Sequence, residues 1–205
     1  MKILLPILTL FLLSCSQVDN SKTENNDVTE TTKPAIEFPQ VNDKFQPFLD
    51  KFPKLELPVK IKGCEAEYEN LTEFNEENPS DYVPNQSFAV GQIRTNGNYV
   101  SVITLGVADC MLPVITTYKL TGEQIDSKTI AIGYCGDGPC FECEEFMTIK
   151  EDFSIYTADT MINSECDDDY NPIPGTESIE VIYKEGRLTE KGEIDLSDEM
   201  KKEIK

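Results

Sequence analysis

From Ser87 onward, short β-rich runs alternate with tight polar turns, a pattern that predicts antiparallel sheet. Residues 88–94 and 99–107 flank Asn96-Gly97, a pair that suits a two-residue hairpin turn because both positions tolerate positive φ. Residues 113–120 and 124–132 flank Thr121-Gly122, and residues 146–150 and 153–158 flank Glu151-Asp152. Residues 178–184 and 187–194 flank Glu185-Gly186. Lys119, Lys150 and Lys184 stand just before these last three turns at near-regular spacing, a weak strand–turn–strand repeat.

Upstream the pattern changes. Phe45, Phe48, Leu49 and Phe52 fall at i, i+3, i+4 and i+7, which predicts a short amphipathic helix with its aromatic stripe on the core. Pro47 fits only in its first turn, and Pro53 ends it. Residues 55–61 alternate aliphatic with polar, and Pro58, which has no amide proton to donate, assigns that strand to a sheet edge. Residues 65–85 are acidic and rich in Pro and Asn. Tyr68, Leu71 and Phe74 have near-helical spacing there, so one short helix inside a long loop is expected. After Asp195 the tail reads as a terminal helix capped by Ser197. The whole predicts one all-β domain over residues 39–205, mainly an antiparallel meander in a barrel, sandwich or propeller-like sheet, with one or two short helices.

The N-terminus carries a different signal. Lys2 precedes an almost unbroken apolar run over residues 3–13, too short for a spanning helix but of the length of a signal-peptide core. The run ends in Leu12-Leu13-Ser14-Cys15, which resembles the lipobox of bacterial lipoproteins. The resemblance implies cleavage after residue 14 and acyl chains, palmitate among them, on Cys15. Several chains hold a protein on a membrane where one would not. Ser16 rather than Asp follows the cysteine, so the retention signal for the inner membrane is missing and the outer membrane is favoured. Residues 15–38 are polar and nearly devoid of aliphatics, the composition of a disordered tether. The hairpin-rich pattern beyond it resembles uncharacterised exported lipoproteins.

Composition narrows the chemistry further. The formal charge is −20, from 38 acidic and 18 basic residues. Such a field repels nucleic acid and attracts cations or a basic protein partner. The chain has no histidine, which excludes Ser-His-Asp and Cys-His nucleophilic systems and His-ligated zinc hydrolase sites. It has no tryptophan either, which counts against a sugar-stacking surface.

Beyond Cys15 six cysteines remain: Cys64, Cys110, Cys135, Cys140, Cys143 and Cys166. An even number in an exported domain predicts disulfides, with the pairing open. Two sharper readings compete. Cys135, Cys140, Cys143 and Cys166 have the C-x4-C-x2-C…C spacing of plant-type ferredoxins. Such clusters are assembled in the cytoplasm, however, and the signal lacks the twin arginines for export of a folded protein. Cys140-Phe-Glu-Cys143 is a C-x-x-C pair of the thiol–disulfide oxidoreductase kind, but Glu142, Glu144 and Glu145 beside it oppose thiolate formation.

Glu165, Asp167, Asp168, Asp169 and Asn171 form the densest acidic cluster, yet they lack the spacing of a calcium-binding EF-hand loop and read as a solvated loop. No catalytic residue, metal ligand or cofactor is assigned. The sequence therefore points to a membrane-tethered envelope lipoprotein with a non-enzymatic binding or structural role. An acidic inhibitor or immunity-type lipoprotein that neutralises a basic protein is the second reading, and a thiol–disulfide oxidoreductase the third.

Overall fold

The computed structural model describes residues 40–63, 70–95, 97–107, 111–136 and 138–204. Within them the chain forms one short helix, α1 (Gln46–Leu49), and two antiparallel sheets. The first sheet runs in sequential order through β2 (Thr72–Phe74), β3 (Ser87–Arg94), β4 (Tyr99–Val107), β5 (Met111–Lys119) and β6 (Gln124–Thr129). The second places β1 (Val59–Lys62) beside β7 (Phe141–Ile149), then β8 (Ser154–Asn163) and β9 (Ser178–Leu188). The far edge of β9 is shared by β10 (Ile194–Leu196) and β11 (Met200–Ile204). The all-β, mainly antiparallel expectation holds. Of its alternatives the two sheets form a sandwich, and the described strands do not close into a barrel.

Period-two alternation explains how the layers stack. Ile93, Ile103 and Ile115 of the first sheet meet Ile61, Met147, Ile149 and Ile155 of the second in one core. Val100, Val102 and Tyr118 point the other way, onto Phe45, Phe48, Leu49 and Phe52 around α1. Strand β4 is thus covered on both faces, and its first seven residues are all buried. The aromatic stripe faces the core as its spacing predicts, and Pro47 sits in the first turn of α1. Phe45, Phe48, Tyr82 and Tyr118 pack ring to ring, with centroids 4.7–6.1 Å apart.

Side-chain bonds stitch the sandwich along one flank, where β6 and β10 lie side by side. Asp126 Oδ2 accepts from the Ile194 amide at 2.9 Å, and Lys128 Nζ donates to the Ile194 carbonyl at 2.5 Å. Thr117 Oγ1 donates to the Gly192 carbonyl at 2.6 Å. On the other flank residues 53–55 bridge to Gln92 of β3 before the chain crosses to β1. The strand expected over residues 55–61 begins only after Pro58, which lacks a ladder donor, but it does take the predicted sheet edge.

Three expectations are corrected. Glu185-Gly186 is not a turn: β9 runs straight through it, and the turn falls at residues 189–193. Gly186 is there because a Cβ would overlap the carbonyl oxygen of Asp195 on β10, and with it the repeat loses its third member. The tail is a strand, not a helix. Ser197 shapes a bulge, its Oγ accepting from the Glu185 amide at 3.1 Å, after which β11 fills the rest of the β9 edge and Lys201 pairs with Glu180. In residues 65–85 Phe74 is buried in strand β2 rather than in a helix, while Tyr68 lies outside the described residues.

Candidate functional site

Four turns converge at one end of the sandwich and leave a groove of about 1010 Å³ between the sheets. The β3–β4 turn brings Thr95 and Tyr99, and the β5–β6 turn brings Lys119 and Leu120. Phe153 comes from the β7–β8 turn and Lys191 from the β9–β10 turn. Its floor follows from strand parity: Tyr99 and Leu188 lie on the inter-sheet faces of β4 and β9 and are buried. Gly192, at φ +87°, lets its turn pack closely behind two lining residues, since a Cβ there would press on Ile125 and the Tyr99 ring. Phe153 also holds positive φ, +62°, a conformation rare for a bulky residue. Its side chain nonetheless packs half-buried against the inter-sheet core at the groove.

Halfway along the second sheet lies a different cluster. Glu145 on β7 and Asp159 on β8 stand directly opposite one another on the inner face, 5% and 0% exposed. Two carboxyl groups buried side by side resist carrying two negative charges at once. Burial raises both pKa values, and the neighbouring Asp159 charge raises that of Glu145 further, to about 7. The pair therefore holds a proton to higher pH than a free carboxylate does. Asp159 Oδ2 accepts from the Tyr134 amide at 2.7 Å, and Glu145 Oε2 accepts from the Gly133 amide at 3.2 Å.

The amides that hold this pair belong to the segment after β6. Ile130 and Ala131 are buried, and the Cys135–Cys143 disulfide ties the end of the segment to β7. Gly63 leaves room from the other side, for a Cβ there would overlap the Glu145 carboxyl. So little exposure keeps solvent-borne substrates away from both carboxyls. The arrangement forms a latch between segment and sheet.

The cysteine pairing departs from both sharper readings. Cys135 bonds Cys143 and Cys140 bonds Cys166, so the C-x-x-C cysteines are joined to other partners and not to each other. Cys64 and Cys110 lie outside the described residues. Among the described residues, Cys135, Cys143 and Asp159 bring three potential metal-ligand atoms within 4.8 Å of one another. Two of these are the sulfurs of one disulfide, which leaves no thiolate to coordinate a metal. Glu142 and Glu144 face outward on β7, away from the Glu145 side, and Glu144 lies 4.0 Å from Lys60 Nζ.

The acidic loop behaves as a solvated turn. Asp167 Oδ1 accepts from the amides of Asp169 at 2.9 Å and Asn171 at 2.8 Å, so its carboxylate shapes its own loop. Those local bonds hold its pKa below the usual carboxylate range. Sequence reading did not single out the Glu145–Asp159 pair or the groove. Cys15 and the tether lie outside the described residues.

No protein-family model matches the chain, and no curated protein or solved structure matches it.

Proposed function

We propose that this chain is a lipid-anchored protein of the bacterial cell envelope whose β domain works by binding and not by catalysis. The anchor reading rests on Leu12-Leu13-Ser14-Cys15 and places the protein on a membrane, the outer one favoured. The observation that carries the binding reading is the groove, which has the size and mainly apolar lining of ligand pockets. The enclosed Glu145–Asp159 pair fits the same reading, because the chain's buried acid chemistry is turned inward.

Labelled palmitate fed to expressing cells tests the anchor. The natural chain should take up label and sediment with membranes, and Cys15→Ser should lose both properties. Label retained on Cys15→Ser would overturn the lipoprotein reading.

A second reading, neutralisation of a basic protein partner, draws on the acidic surface alone. It expects binding to basic proteins that weakens steeply with salt and is indifferent to the groove.

A further inference from the structure

We propose that the groove at the hairpin end takes a single-chain amphipathic anion, an apolar tail bearing one carboxylate or phosphate head. The inference deepens the binding reading above and rests on it.

Three observations support that occupant. First, the lining is mainly apolar: Tyr99, Leu120, Ile125, Phe153 and Leu188 border a volume suited to a flexible hydrocarbon. Phe153 holds positive φ, where Asn or Gly would sit without strain, so the turn keeps an aromatic at the groove against its backbone preference. Second, charge is inverted at the groove. The chain has 38 acidic residues against 18 basic ones, whereas three bases (Lys119, Lys191 and Arg187) and one acid (Glu190) border this space. Lys119 is engaged by Glu123 at 2.7 Å, and Lys191 is exposed in its turn. A basic rim on an otherwise repulsive surface selects an anion that brings its own apolar surface.

Third, among the described residues the large apolar side chains that protrude are Val107, Tyr134, Tyr170, Ile173 and Ile204, and none of them lines the groove. Apolar surface here is recessed. A dissolved amphiphile can enter it, whereas a bilayer would need side chains that reach outward.

The test uses the mature chain, residues 16–205, so that neither an attached acyl chain nor the apolar run of residues 3–13 competes. Calorimetric titration with dodecanoate and dodecyl phosphate, below their micelle concentrations, is compared with dodecanol and dodecyltrimethylammonium. Saturable one-to-one binding of both anions is expected, with the alcohol and the cation weaker by about tenfold or more. Lys191→Glu should weaken the anions by about tenfold and leave dodecanol unchanged. Phe153→Asn, which relieves the backbone and so should fold at least as well, should weaken all four probes.

Equal affinity for dodecanol and dodecanoate would overturn the anionic head. Anion binding indifferent to both substitutions would overturn the site. Lack of saturable binding by any probe, or sedimentation of the unacylated chain with lipid vesicles, would overturn the single-chain occupant. These outcomes leave the palmitate labelling of Cys15 untouched, so failure here is distinguishable from failure of the anchor reading.

Discussion

Glu145 and Asp159 face each other directly across β7 and β8, and the segment that feeds the pair its amide protons is itself tied down by Cys135–Cys143. A carboxyl pair that retains a proton near neutral pH makes folding depend on pH in a direction opposite to most surface ion pairs.

The sign follows from where the proton is held. Below about pH 4.5 the folded and unfolded chains both protonate Glu145; from there to about pH 7 only the folded chain does. Stability therefore falls as pH rises through that window. Urea unfolding at pH 5, 6, 7 and 8 reads the slope. Glu145→Gln keeps an N–H for Asp159 and an acceptor for Gly133, so it should flatten the slope relative to the natural chain. Parallel pH profiles for the two proteins would show that the pair does not titrate this way.

Gly186→Ala should cost about 1–3 kcal/mol, because the new methyl lands on the Asp195 carbonyl and β10 must shift away from β9. Gly136→Ala is the matched control, since nothing lies within 4 Å of a Cβ there. Thermal unfolding of the two variants should separate them clearly. Equal melting temperatures would contradict the continuous β9 and its close partner.

Thr117→Val removes the donor that reaches the Gly192 carbonyl without changing side-chain shape. A buried acceptor left unsatisfied costs about 1–3 kcal/mol, which denaturant titration resolves. Hydrogen exchange should also quicken at residues 192–196 more than along β4, because the lost bond is one of those joining β10 to the first sheet.

Peptide mapping without reductant should recover peptides linking Cys135 to Cys143 and Cys140 to Cys166. Cys64 and Cys110 are then the two cysteines left in the domain, and they are expected to pair with each other. No cysteine beyond Cys15 would take up an alkylating reagent. A free thiol at Cys64 or Cys110 would refute the third disulfide while leaving the other two standing.

Local turn chemistry made most of the fold legible. Asn96-Gly97, Thr121-Gly122 and Glu151-Asp152 each lie between strands that pair as expected. Glu185-Gly186 misled because a glycine serves two purposes, positive φ in a turn or closeness to another backbone, and the second depends on a strand still to come. The tail was misread for a similar reason. Ser197 has the chemistry of a helix cap, but the open edge of β9 decides the outcome, and sequence periodicity does not report an edge.

The buried pair was closer to legible. Once Ile149 faces Ile155 around the Glu151-Asp152 turn, continuing the same register brings Glu145 opposite Asp159. Reading the strand as ending at Phe146, where the acidic residues begin, hid the pairing. The groove stayed invisible because it is assembled from turns far apart in the chain, and no local pattern records which turns share an end.

The two described disulfides interleave, since Cys140 lies inside the loop closed by Cys135–Cys143 and reaches beyond it to Cys166. Any peptide bond cut between Cys135 and Cys166, including those of the exposed Glu151-Asp152 turn, is therefore straddled by at least one bridge. A protease that nicks this stretch yields two fragments that cannot part, and the broken chain stays one molecule until a reductant arrives.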